Sequence, residues 1–207
     1  MERVIFNNLS DLAFNVKSYG KLESYVVDWF GNHSEFYSSL HGIPHWLSVY
    51  DNASKLLDLE TNNIYSEQHI VLTLIAAYLH DVGRMIYRNG IYANNHHSAR
   101  SEMFIKNNLT NTDLGLTTDD IEWIALLARG HYLACDSISY KKELWQKARD
   151  NRMEICVKIV RDADALDRIR FNGLDTTFLH LESSLSLVQY VTEKWNGGYK
   201  LVDLDKV

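Results

Sequence analysis

Residues 70–84 read IVLTLIAAYLHDVGR: an apolar run, IVLTLIAAYL, closed by His80 and Asp81 and punctuated by Gly83. Ser66 followed by Glu67 and Gln68 is a helix-start signal just ahead of the run. The run is therefore expected to be a strongly hydrophobic helix with a histidine and a carboxylate at its end. An unpaired carboxylate there is expensive to bury unless a metal or a cation compensates it.

The rest of the chain reads as helices joined by short polar turns. It holds a single proline, Pro44, and no Pro/Ser-rich linker or internal repeat. A first helix is expected over 19–30, ended by Gly31 and Asn32. The next starts at Pro44, whose missing N–H suits the first helical position, and runs to about Leu59. After the loop RNGIYANN (88–95), a helix is expected over about 96–108. Another opens at Thr117 or Thr118, with Asp119 and Asp120 against the positive end of its dipole, and continues through IEWIALLARGHY. From about residue 150, the segment MEICVKIVRDADALDRIRF is apolar on nearly every side, as a central helix is. A final amphipathic helix over 176–195 is ended by Gly197-Gly198, and YKLVDLDKV is a tail or a short edge strand. The expected fold is an all-α bundle, with its metal site between the central helices.

With 207 residues, 46% apolar and 23% charged, the chain is globular in composition and is expected to be one domain over 1–207. Its core motifs fall in 41–171, and a C-terminal helix and tail follow in 172–207. A net charge of -6 provides no basic field, so generic nucleic-acid binding is not expected. Cys135 and Cys156 lie in helix-like segments and are expected to be small buried hydrophobes rather than a disulfide. The opening residues MERVIFNN are too short and polar for a secretory signal, and no stretch approaches the roughly 20 apolar residues of a membrane span. The expectation is a cytoplasmic protein without membrane attachment; oligomeric state is not legible.

Metal-competent side chains fall on helix faces that are otherwise apolar. His45 shares a face with Val49 and Leu56, and His80-Asp81 closes the hydrophobic helix. Asp164 is in step with Met153, Val157 and Val160; Asp162, about 200° away, is in step with Ile155, Ile159 and Leu166. Periodicity alone leaves the choice between these two carboxylates open. Two imidazoles and two carboxylates form a mixed N/O set suited to Mn, Fe, Co, Ni or Zn, with Mg less natural.

This pattern of His45, His80-Asp81 and Asp164 resembles the H…HD…D signature of the HD superfamily of metal-dependent phosphohydrolases. HDVGR is similar to the family's HD-x-G-K/R form, and ADALDRIR to its closing A-D-x-L motif. The resemblance spans about 41–171 and implies Asp164, not Asp162, as the ligand. It implies hydrolysis of a phosphomonoester or phosphodiester, in a small nucleotide-like molecule, with Asp81 or a nearby histidine handling the proton.

Two-metal members of the family add two histidines between the HD pair and the last aspartate. Here these are His96 or His97, undecided between them, and His131, which follows the inward face of Ile124 and Ala128. They could equally be hydrogen-bonded structural residues, phosphate contacts or catalytic proton donors. In HGIPHW, Gly42 and Pro44 suggest a tight turn bringing His41 to His45, in a substrate-facing or general-acid role. Arg84 is a candidate phosphate contact or else a salt-bridge partner. Arg100, Arg129, Arg168 and Arg170 are further candidates, of which Arg168 and Arg170 are not expected to face the site together. His33, His69 and His180 read as surface or satisfied core residues, and the tryptophans as core. Asp162 is expected to pair with Arg84 or Lys158, or to hydrogen-bond a ligand histidine. The competing functions are a dinuclear-iron oxygenase, an HGxxH-type phosphodiesterase acting on a modified protein, and a non-catalytic binding module.

Overall fold

The computed structural model describes residues 41–64, 66–85, 96–109, 116–171 and 173–196. The expected helix over 19–30, the loop at 88–95, the tail at 199–207 and His33 lie outside the described residues. Among the described residues the chain forms seven α-helices and no strand: α1 (Ile43–Leu59), α2 (Glu67–Leu79), α3 (His97–Asn108), α4 (Thr118–Gly130), α5 (Ile138–Asp150), α6 (Glu154–Asp167) and α7 (Glu182–Asn196).

Helix α2 is the apolar run. The Ser66 hydroxyl caps it by accepting from the His69 N–H at 3.2 Å, and every residue from Leu72 to Leu79 is buried. Burying a side chain such as Leu79 or Ile75 contributes ~1.5–3 kcal/mol relative to leaving it in water. Helix α6 lies at the centre and packs on α1, α2 and α4, with α7 laid against it. Its buried residues include Cys156, Val157, Ile159, Val160, Ala163 and Leu166, which accounts for a sequence that is apolar on nearly every side. Where α4 crosses α6, a Cβ on Gly130 would stand 2.9 Å from a Val157 methyl group, so a larger residue there must displace the Val157 side chain.

Gly83 fixes the approach of α3. A Cβ at this position would stand 2.4 Å from both the His97 carbonyl oxygen and the Ser101 nitrogen, so only glycine lets the α3 backbone come this close. Two bonds hold the contact: the Gly83 N–H donates to Ser101 Oγ at 2.8 Å, and Arg100 Nε donates to the Gly83 carbonyl at 3.0 Å. This contact carries the start of α3 toward the end of α2.

Several boundaries differ from the sequence reading. Pro44 takes the second helical position, after Ile43. The helix expected to open at His96 opens at His97; His96 is its N-cap, in the left-handed region at φ 59°. Helix α4 is capped by Thr117 in a reciprocal capping box with Asp120 and ends at Gly130, short of His131 and Tyr132. The final helix starts at Glu182 rather than 176, because the chain first makes a short 3-10 turn at Thr176–Phe178. Helix α5 buries only Leu144 and Ala148, too few apolar positions to announce itself in the pattern. Cys156 is buried, but Cys135 is exposed, since it sits in the turn between α4 and α5 and not in a helix.

Candidate metal centre

The site forms where α1, the end of α2 and the C-terminal half of α6 meet. His45, on the first turn of α1, donates from Nδ1 to Asp167 Oδ2 at 2.7 Å. His80, just past α2, donates from Nδ1 to the Ala77 carbonyl at 2.7 Å. A carbonyl oxygen only accepts, and Asp167 is a carboxylate, so in the neutral rings the proton sits on Nδ1 and the lone pair on Nε2. These two Nε2 atoms face each other at 3.0 Å. Two lone pairs at that separation repel unless a proton or a metal cation lies with them. Asp164 Oδ1 stands 3.4 and 3.6 Å from the same nitrogens, and Asp81 Oδ2 stands 3.5 and 3.8 Å from them. Two imidazoles and two carboxylates thus converge, each histidine oriented by an acceptor behind it.

The other oxygen of Asp81 looks into a second group. Asp81 Oδ1 is buried and takes no hydrogen bond among the described residues. It stands 3.4 Å from His97 Nε2 and 3.5 Å from His131 Nε2, and those two nitrogens are 3.0 Å apart. His131 Nδ1 donates to the Ala128 carbonyl at 2.5 Å, which again turns Nε2 inward. His41, half exposed, places Nδ1 3.1 Å from Asp81 Oδ2, with its ring 5.5 Å from that of His45. Arg84 donates from Nε to Asp81 Oδ2 at 2.6 Å, and its Nη2 lies 3.1 Å from His97 Nε2. An oxygen without a hydrogen bond, buried among inward-facing imidazole nitrogens, is a donor set that a divalent cation fits. The groups that could hold one overlap: His45, His80 and Asp164; His80, Asp81 and His131; His41, His45 and Asp81.

The electrostatics agree. Burial lifts the pKa of Asp81, yet His80, His131, His41 and His45 around it outweigh burial and hold it well below the usual carboxylate value. Asp164 is likewise held well below, against burial, by His45 and His80. Burial opposes protonation of His45, but Asp164, Asp167 and Asp81 reverse this and raise it well above 6.5. For His80, burial wins and its pKa is lowered. The surroundings thus favour the ionised form of both carboxylates, and of the two facing rings they favour protonation of His45 and oppose that of His80.

The cluster forms the floor of a cavity of about 810 Å³, whose wall includes Lys141, Trp145, Arg161, Arg168, Phe178 and His180. The geometry selects between residues that the pattern left open. His97 enters the cluster, whereas His96 is exposed, because the helix begins one residue later. Asp164 points to His45 and His80. Asp162 faces away and is wholly buried, but not against Arg84, Lys158 or a ligand histidine as expected. It accepts the His180 and Leu181 N–H groups at 2.8 and 2.9 Å, the Ser184 hydroxyl at 2.6 Å and His180 Nδ1 at 2.8 Å, and so pins the entry to α7.

Other expectations are corrected. Arg168 and Arg170 both line the cavity, because the chain leaves α-helical geometry for a 3-10 turn at Arg168–Phe171. Arg129 is engaged by Glu102 and Asp136, and Arg100 donates to the Gly83 carbonyl; the cavity lining includes neither. Trp46 is core, but Trp145 lines the cavity. Asp167 escaped the sequence reading, although its spacing of three residues from Asp164 keeps it on the same side of α6.

A protein-family model described as HD domain matches residues 42–169. No curated protein and no solved structure matches the chain. No helix among the described residues is long and apolar enough to cross a membrane.

Proposed function

The chain belongs to the HD-domain superfamily of metal-dependent phosphohydrolases, and from that premise we propose that it cleaves a phosphomonoester or phosphodiester bond in a small nucleotide-like substrate. The observation that carries this reading is the convergence of His45 Nε2, His80 Nε2, Asp81 and Asp164 under a cavity lined by arginines. These four residues are the proposed ligands. A cation held there supplies Lewis acidity toward a phosphoryl oxygen and a nucleophilic water. Mn, Fe, Co, Ni and Zn suit the mixed N/O set better than Mg.

The surrounding residues have separate tasks. Asp167 keeps His45 in the tautomer that offers Nε2. Arg84, at the cavity edge, offsets negative charge on the phosphoryl group. His41 is half exposed with one nitrogen near Asp81, so it can pass a proton to the departing oxygen. Helices α2 and α4 exclude water from beneath the cluster.

The division of Asp81 between two sets of nitrogens supports room for a second ion, held by His97 and His131, with Asp81 shared. That arrangement also favours one alternative, a dinuclear-iron oxygenase. Metal analysis of protein purified without added metal, followed by a screen of nucleotides, cyclic dinucleotides and generic phosphodiesters, decides among the readings. Turnover that chelator abolishes and divalent metal restores supports the hydrolase. A mixed-valent iron signature without phosphate release supports the oxygenase, and a fully loaded protein inert toward every ester is a binding module.

A further inference from the structure

Among the described residues, part of the cavity lining carries positive charge that is not taken up by a salt bridge. Lys106, Arg129, Lys158, Arg170 and Lys194 each meet a carboxylate. Lys141, Arg161 and Arg168 form no salt bridge among the described residues, and all three line the same cavity. In a chain of net charge -6 such a grouping calls for an anion from outside. Arg161 is half buried, so its guanidinium has given up part of its water without gaining a salt bridge among the described residues.

Helix periodicity aligns these cations with the metal cluster. Arg161, Asp164 and Arg168 recur at spacings of three and four, on one face of α6 and its continuation. Arg161 lies about one turn from Asp164, ~4.5 Å along the axis, and Arg168 lies about one turn beyond it on the other side. From α5, Lys141 and Trp145, four residues apart, line the same cavity. The Arg161 guanidinium stands 5.9 Å from the centre of the Trp145 ring system, within reach of a cation–π contact. Trp145 thus contributes indole surface to the cavity lining, with Arg161 over its ring and cations from both elements in the same lining.

We propose that Lys141, Trp145, Arg161 and Arg168 form a second subsite beside the metal cluster, which takes a further phosphate group and the planar ring of the substrate. The substrate class is then a nucleotide with two or more phosphates. This rests on the reading above that the scissile phosphate sits over His45, His80, Asp81 and Asp164.

The test is binding of α,β-methylene adenosine diphosphate, which resists cleavage between its phosphates, measured by calorimetry beside inorganic phosphate. The proteins are the metal-loaded wild type, Arg161→Gln, Lys141→Gln and Arg161→Lys. Wild type is expected to bind the analogue at least about 10-fold tighter than phosphate. Arg161→Gln and Lys141→Gln should each weaken analogue binding about 10-fold more than they weaken phosphate binding, as loss of a charge-assisted hydrogen bond does. Arg161→Lys should fall between. Lys141 lies toward the surface, so its variant decides the matter if Arg161→Gln does not fold. Equal affinity of wild type for the two ligands, or equal losses on both in the Gln variants, overturns the subsite. Tight analogue binding with no turnover of any ester fails the hydrolase reading while leaving the subsite in place.

Discussion

Asp162 and Asp164 are two residues apart on α6, and exchanging each for asparagine should break different properties. Asp162 Oδ2 accepts from the His180 and Leu181 backbone N–H groups and from Ser184 Oγ, all at 2.6–2.9 Å. In Asp162→Asn the amide oxygen can keep these three donors, and its NH₂ can donate to His180 Nδ1 once that ring moves its proton to Nε2. What is lost is the charge on the acceptor. A hydrogen bond to a charged group is worth ~1.5–3 kcal/mol and a neutral one ~0.5–1.5, a difference of roughly 1 kcal/mol for each of three bonds. The variant should lose about 3 kcal/mol, or roughly 6–12 °C in Tm at this chain length, with metal content per folded molecule unchanged. Asp164→Asn removes a carboxylate oxygen 3.4–3.6 Å from both His45 and His80, so its deficit should appear as metal lost. The assay is thermal denaturation of chelator-treated protein beside elemental analysis of protein as purified. If Asp162→Asn loses the metal with its Tm intact while Asp164→Asn keeps it, the ligand is Asp162 and the geometry described above is wrong.

Asp167→Asn should weaken metal affinity ~10–100-fold without removing a ligand, because His45 loses the acceptor that orients it; competition with a fluorescent chelator measures this. Chelator-treated protein should be most stable near pH 6.5. His80, with its pKa lowered, costs stability as pH falls below 6.5, whereas the raised pKa of His45 gives stability that is present below 6.5 and lost as pH rises through its folded value. A metal on His45 displaces that proton, so the Tm gap between loaded and chelated protein should widen above pH 6.5; a constant gap from pH 6 to 9 contradicts the assignment. Gly83→Ala should dislodge the start of α3, since its methyl group meets backbone at 2.4 Å. Its signature is a loss of several degrees in Tm together with faster hydrogen exchange in α3, and an unchanged Tm refutes the packing argument.

What the sequence made legible was local. The apolar run of α2, a helix start at Thr117 or Thr118 and the inward faces of His45 and His131 follow from spacing along one helix. What it hid depends on distant chain or on a single backbone angle. Asp162 is satisfied by a segment about 18 residues later, which no helical period can reveal. The choice of His97 over His96 turns on a left-handed residue that delays the helix by one position, and one position turns a side chain by about 100°. Arg168 and Arg170 share a cavity because the helix tightens to 3-10 geometry at its end, where a period of 3.6 no longer applies. The cationic part of the lining combines α5 and α6, and neither helix shows it alone.

The central claim is that His45, His80, Asp81 and Asp164 hold a catalytic divalent metal. Elemental analysis of wild type, Asp81→Ala and His180→Ala, purified together without added metal, tests it most directly. The expected result is at least one equivalent of divalent transition metal in wild type and His180→Ala and none in Asp81→Ala, because Asp81 faces both groups of nitrogens whereas His180 contacts Asp162. Full metal occupancy in Asp81→Ala contradicts it.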